Sequence, residues 1–208
     1  RGPHAIYTCS KELLEEIKEL AEKYDVLIHM HLAETVESQR KSIELYGMRE
    51  VEILNEIGLL GPRSSFAHGV YLTNKEIRIL AKTGSTVVHN PVSNMKLATG
   101  GISPVRKMLD AGVNVALGTD GPGSGNRLDI FEAAKFAALA QRHLRLDAQA
   151  LKTGDVLAMA TINGYRAVGL KGGLIKPGNV ADILVVNLEN PNMWPIRSDR
   201  ILSNLVYS

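Results

Sequence analysis

The sequence predicts an α/β fold built on a parallel sheet, and three observations carry that expectation. Short strand-like runs (VLIHMHL, SSFAH, residues 85–88 and VNVALG) recur along the chain, and the most continuously apolar of them read as strands buried on both faces. Helical patterns fall between them, which is the spacing of βαβ units. Glycines 58, 84 and 112 close three of those helical stretches, as a helix stop does. Right-handed crossovers leave two architectures, a doubly wound sheet or a closed barrel, and periodicity does not choose between them.

Ser10 stands before KELLEEIKELAEKY, whose Leu13, Leu14, Ile17, Leu20, Ala21 and Tyr24 share one face at the 3.6 period. Glu12 lies in the first turn, where it suits the helix dipole. Asp25 leads into the strand VLIHMHL, and a helical region over 36–57 ends at Gly58. SSFAH is the second strand. Thr73-Asn74-Lys75-Glu76 then forms a capping box that opens a helix carrying Ile77, Ile79 and Leu80 as far as Gly84. A third strand covers 85–88, and HNPVSNMKLATGG reads as a loop. Pro104 starts a short helix that Gly112 stops, VNVALG is the fourth strand, and helices follow over 129–144 and 153–168. Beyond Gly172-Gly173 the character changes. GLIKPGNVADILVVNL reads as a β-hairpin around a Pro-Gly turn, and ILSNLVYS at the end is strand-like.

With 208 residues the chain is long enough for a real core, and 45% apolar, 22% charged residues exclude disorder as its main state. A net charge of +2 with both signs scattered gives no reason to expect a nucleic-acid or membrane partner. The one cysteine, Cys9, excludes a disulfide-stapled scaffold and points to a reducing, cytoplasmic setting. No run approaches the roughly 18 apolar residues of a membrane span. The start at Arg1-Gly2-Pro3-His4, without an initiator Met, and the strand-like end lead us to expect a chain incomplete at both ends.

The chemistry-bearing residues gather at the C-terminal ends of the expected strands, where α/β sheets and barrels place their sites. His29, His31 and Glu34 close the first, His68 the second, His89 the third and Asp120 the fourth. A single buried histidine is more often a hydrogen-bonded core residue, and an aspartate before glycine is often a turn residue. Four successive strand ends bearing such residues make a stronger case for a site. Imidazole suits a borderline metal, a carboxylate three residues on can reach the same space without ligating, and Asp120 offers a hard oxygen. A divalent metal there would activate water for hydrolysis near neutral pH. Other candidates weigh less. The run Gly121-Pro122-Gly123-Ser124-Gly125 lacks the Lys-Ser/Thr of a P-loop and follows an acid. Cys9 and the lone Trp194 are expected to pack.

HMHLAET, AHGVYL, HNPVSNMKLATG and LGTDGPGSGN, in that order, resemble the amidohydrolase superfamily, most closely its deaminase branch acting on 5'-methylthioadenosine and S-adenosylhomocysteine. GLIKPGNVADILVV is similar to that family's return to a small β-sandwich. The resemblance implies the later half of a distorted TIM (β/α)8 barrel over residues 1–170 and the start of the sandwich over 171–208. It implies one divalent metal, zinc or iron, held by His31 and Asp120. Glu34 would move a proton to the substrate ring, His68 would orient the attacking water or the oxyanion, and Asp120 would take the water proton. His4, in PHAIYTCS, would contact substrate together with Glu34 and Asp120.

The partner implied is a small nucleoside, and a homo-oligomer is compatible with it. Guanine or cytosine deamination and triazine hydrolysis are the rival reactions, because strand-end motifs are shared while specificity lies in loops. The family also carries an H-x-H pair on its first barrel strand. No such strand precedes His4, and His29-x-His31 belongs to the later HLAET strand. The chain by itself is therefore expected to be an inactive fragment, with a non-catalytic half-barrel as the rival from outside enzymology.

Overall fold

A computed structural model describes residues 2–208 and shows an α/β architecture around a four-stranded parallel sheet. Strands β1 (Ile28–Leu32), β2 (Ser64–His68), β3 (Thr86–His89) and β4 (Asn114–Leu117) lie side by side in sequence order. Helix α1 (Lys11–Lys23) precedes them, α2 (Val36–Tyr46) and α3 (Glu50–Glu56) join β1 to β2, and α4 (Asn74–Thr83) joins β2 to β3. The β3–β4 connection holds α5 (Pro91–Lys96) and α6 (Val105–Asp110). After β4 come α7 (Pro122–Gly125), α8 (Ile130–Arg145), α9 (Thr153–Ala160), α10 (Ile162–Ala167), a short 3-10 turn at Pro191–Met193 and α11 (Ile201–Tyr207).

Local chemistry sets the helix ends. Ser10 Oγ accepts the Leu13 N–H at 3.2 Å, and the Thr73 and Glu76 side chains each accept the other's backbone N–H. Asp129 Oδ1 accepts the N–H groups of Phe131 and Glu132 at the start of α8. Gly84 takes φ +74° to close α4, a conformation that a Cβ would oppose. The core runs along the sheet. Met30, Leu32, Phe66, Val87 and Val115 are fully or almost fully buried with Leu54, Leu80 and Met108 from the helices. Ala133, Ala134, Ala137 and Ala138 form the buried side of α8, small enough to bring its backbone close to its neighbours. No helix among the described residues is long and apolar enough to cross a membrane.

Several elements differ from the sequence reading. The region 36–57 is two helices, because Gly47 at φ +69° ends α2. The stretch after β3 is not all loop: Pro91, preset for a first helical turn, opens α5. The pattern over 153–168 breaks at Thr161 into α9 and α10. Strand β3 extends to His89, while β4 stops at Leu117 and leaves Asp120 in the loop beyond.

The two C-terminal strand expectations fail. The Pro177-Gly178 turn forms, with Asn179 N–H donating to Lys176 O, but its flanks do not pair. Ile175 is 90% and Val185 89% exposed, so no apolar layer faces these residues, and a two-stranded ribbon alone is marginal. The final stretch is helix α11 rather than a strand. Its Ile201, Leu202, Leu205 and Val206 recur at a spacing of four, and Val206 is buried.

Phe66, with no exposed surface, is the largest fully buried side chain of the sheet. Phe66→Ala is expected to destabilise the protein by about 3–5 kcal/mol, read as a fall in the urea midpoint. Phe136→Ala, on the partly exposed side of α8, should cost less than about 1 kcal/mol.

Candidate functional site

Strand alternation makes the first half of the site. Ile28, Met30 and Leu32 enter the core, so His29 and His31 take the opposite face of β1. His29 Nδ1 lies 2.8 Å from Ser65 Oγ on β2. Residues before α1 run along the free side of β1, where His31 N–H donates to His4 O at 2.9 Å. This sets the His4 ring edge-on to His31, with centroids 4.9 Å apart, and Thr8 Oγ1 lies 2.8 Å from His4 Nδ1.

The loops after the strands make the second half. Ala33, His68 and Asp120 have φ of +51°, +79° and +60°, a left-handed region that costs non-glycine residues free energy. Each turn redirects the chain as it leaves the sheet. His31 Nδ1 comes to 2.9 Å from His68 Nε2, and Glu34 Oε1 lies 3.7 Å from that same His68 nitrogen. Ligand atoms of His31, Glu34 and His68 all lie within 4.8 Å of one another. Asp120 is not in this compact group. It lies near enough for its charge to act on His31, His68 and Glu34.

Two residues that sequence reasoning passed over complete the arrangement. Asn94 Nδ2 donates to His68 Nδ1 at 3.0 Å, which leaves the His68 proton on Nε2, pointing at the His31 lone pair. Ser93 Oγ donates to Asp120 Oδ2 at 2.6 Å, and Gly121 N–H donates to Asp120 Oδ1 at 2.8 Å. Both Ser93 and Asn94 lie in the first turn of α5, the segment taken for loop. The available signal was Pro91 at a helix start followed by two adjacent hydrogen-bonding side chains. His89 is apart from this set. It is buried, neither ring nitrogen has a hydrogen-bond partner among the described residues, and burial holds its pKa down at about 3.

The electrostatics separate the two carboxyls. Burial, then the nearby Asp120 charge, raises the Glu34 pKa. Burial also pushes Asp120 upward, but hydrogen bonds from Ser93 and Gly121 and the neighbouring His68 outweigh it, and its pKa falls. Burial, then the neighbouring His4, lowers His31, while burial and His31 lower His68 to about 4. The imidazoles are therefore neutral donors at neutral pH. The imidazole nitrogens and carboxylate oxygens gathered here are donor types that fit a borderline divalent cation such as zinc.

Residues 1–208 match the family profile described as the amidohydrolase family. The chain is 49% identical over 207 residues to a 5'-deoxyadenosine deaminase of Methanothermobacter thermautotrophicus, covering 100% of this chain and 48% of that protein. It is 46% identical over 207 residues to a 5-methylthioadenosine/S-adenosylhomocysteine deaminase of Thermococcus onnurineus, with the same coverage. Among solved structures it resembles a zinc-bound adenosine deaminase from Xanthomonas campestris, with TM-score 0.95, 37% identity, and coverage of 100% of this chain and 47% of that one. An atrazine chlorohydrolase from Arthrobacter aurescens, complexed with zinc, superposes with TM-score 0.91 at 28% identity, covering 99% of this chain and 45% of that one. The chain spans about half the length of the curated relatives it matches. By the match along its whole length, this chain belongs to the amidohydrolase family.

Proposed function

We propose that the protein is a metal-dependent aminohydrolase that removes the 6-amino group of adenine in a 5'-modified nucleoside, 5'-methylthioadenosine or S-adenosylhomocysteine. The observation that carries this reading is the convergence of His31, Glu34 and His68 within 4.8 Å, with the Asp120 charge acting on all three. The residues of the sheet before position 171 are taken as part of a barrel. Strand order β1-β2-β3-β4 without reversal supports that, since a doubly wound sheet reverses at a switch point. Residues 171–208 go with the sandwich in this reading, and the exposed Leu174–Val186 stretch has the composition of strands awaiting partners.

His31 and Asp120 would hold the divalent metal, zinc or iron. When bound, it supplies Lewis acidity that brings the ionisation of water toward neutral pH. Asp120, kept ionised by Ser93 and Gly121, accepts a proton from the attacking water. Glu34, whose raised pKa lets it hold a proton, delivers one to the ring nitrogen beside C6. His68, fixed by Asn94, orients the oxygen that adds to C6. Asp120 then passes the proton it took to the departing amino nitrogen, Glu34 recovers one from the new hydroxyl, the C6–N bond breaks, ammonia leaves, and the hypoxanthine carbonyl remains. His4, edge-on to His31, contacts the nucleoside. A reducing, cytoplasmic setting accompanies this reading, since Cys9 is free and buried.

Triazine hydrolysis is the second reading, favoured by the chlorohydrolase likeness at 28% identity. The deaminase relatives at 46–49% favour the nucleoside.

In the complete polypeptide, Glu34→Gln is expected to keep its metal by elemental analysis and to lose roughly 10²- to 10⁴-fold in turnover. Asp120→Asn should lose metal and rate together. Loss of metal in Glu34→Gln would make Glu34 a ligand instead. His4→Ala should raise KM for adenosyl thioethers, followed by the fall in adenine absorbance, while metal content holds. Equal turnover of nucleosides and free bases would favour a base deaminase.

A further inference from the structure

His31 and Glu34 stand three positions apart, and in an extended strand an odd separation sends two side chains to opposite faces. Here they meet, with ligand atoms within 4.8 Å. Ala33 makes the difference. Its left-handed φ of +51° breaks the alternation immediately after β1 and turns Glu34 back to the His31 side. For alanine this conformation is held only where the surroundings over-determine it.

The surroundings are a clamp. Ala33 O accepts two N–H groups, from Val70 at 3.0 Å and Tyr71 at 2.9 Å, just beyond His68. On its other side, Ala33 N–H donates to Glu50 Oε2 at 2.8 Å. Glu50 is the first residue of α3 and is 1% exposed. Its neighbour Arg49 anchors that helix start, pairing with the buried Glu76 at 3.0 Å and donating to Tyr71 O. Glu50 N–H is itself held by Gln39 Oε1. Burying a carboxylate is costly unless it is hydrogen-bonded; burial raises the Glu50 pKa, and hydrogen bonds from the Ala33 N–H and the Ser38 side chain oppose that rise. This carboxyl holds the peptide at which the chain turns away from β1.

We propose that Glu50 is a positioning residue whose carboxyl oxygen fixes the left-handed Ala33 peptide and thereby aims Glu34 at the site. The inference rests on Glu34 being the proton carrier of the proposed reaction. Glu50 touches neither substrate nor metal. Its effect falls on the chemical step, so kcat moves and KM does not.

Two substitutions separate reach from charge in the complete, metal-loaded polypeptide. Glu50→Gln loses the charge but keeps an oxygen at the same reach. Glu50→Asp keeps the charge but withdraws the oxygen by one methylene. We expect Glu50→Asp to lose about 10- to 100-fold in kcat with KM within about threefold, and Glu50→Gln to stay within a few-fold of wild type. Hydrogen exchange of the Ala33 amide gives a readout independent of turnover. It should quicken at least tenfold in Glu50→Asp and hold in Glu50→Gln. Ala33→Gly, which takes φ +51° without strain, should restore part of the Glu50→Asp loss. The reverse order, Gln impaired and Asp normal, would overturn the proposal in favour of an electrostatic role, as would a lower Tm with kcat unchanged. If Glu50→Asp does not fold, loss of Ala33 protection in Glu50→Gln overturns it. Absence of deaminase activity in the wild type would instead refute the reaction and leave amide exchange to decide the clamp.

Discussion

Everything at the site depends on the register of β1 against β2, in which Leu32 stands opposite His68 and Met30 opposite Phe66. Side chains alternate along a strand with a period of two, so a slip of one residue would turn His29 and His31 into the core and Met30 and Leu32 out of it. The burial of Met30, Leu32 and Phe66 therefore selects the pairing that keeps His29 and His31 on the face away from the core. Ile28 N–H to Arg63 O at one end and Gly69 N–H to Leu32 O at the other fasten it. Because all four strands are parallel, their C-terminal ends share one edge, and the packing that stabilises the fold also delivers the chemistry to one place.

Alternation alone would spread these groups over two faces. The left-handed residues Ala33, His68 and Asp120 correct it, each at a cost of about 1–3 kcal/mol of local strain. The loops retain these conformations through hydrogen bonds that reach far along the chain. Ser103 Oγ donates to Gly69 O, Tyr71 OH donates to Thr99 O, and Ser93 reaches Asp120 across 27 positions. Left-handed non-glycine residues also occur elsewhere, at Asp25 before β1 and at Leu146 closing α8, but three of them fall at the strand ends that carry His31, Glu34, His68 and Asp120.

The reach of these contacts explains what could be read from the sequence. Helices α1 and α4 were legible because their signals are local: Ser10 three residues before Leu13, Thr73 paired with Glu76, Gly84 at the stop. β2 and the strand-end residues His31, Glu34 and His68 were legible because an apolar run ending in a polar group is itself local. Ser93, Asn94 and Glu50 were not, since their partners lie 27, 26 and 17 residues away and only the folded sheet brings them together. The failed hairpin after residue 173 is the converse case. Val180, Ile183 and Val185 have strand propensity, but propensity forms a sheet only where another strand and an apolar layer meet it.

The charges gathered at the C-terminal ends of the strands decide which kind of ligand they favour. His31, His68 and His89 all have lowered pKa values, with burial the largest cause in each, so three imidazoles contribute no positive charge at neutral pH. Asp120 is held in the ionised form by the hydrogen bonds it accepts, and Glu34 adds a second carboxyl beside it. The local field is negative, and a cation is the ligand that relieves it. The same arithmetic disposes of the glycine-rich run after Asp120. It folds as the single turn α7, with Gly121 N–H already donated to the Asp120 carboxylate. A phosphate approaching that turn would meet an ionised aspartate, whereas a divalent cation beside it would neutralise that charge.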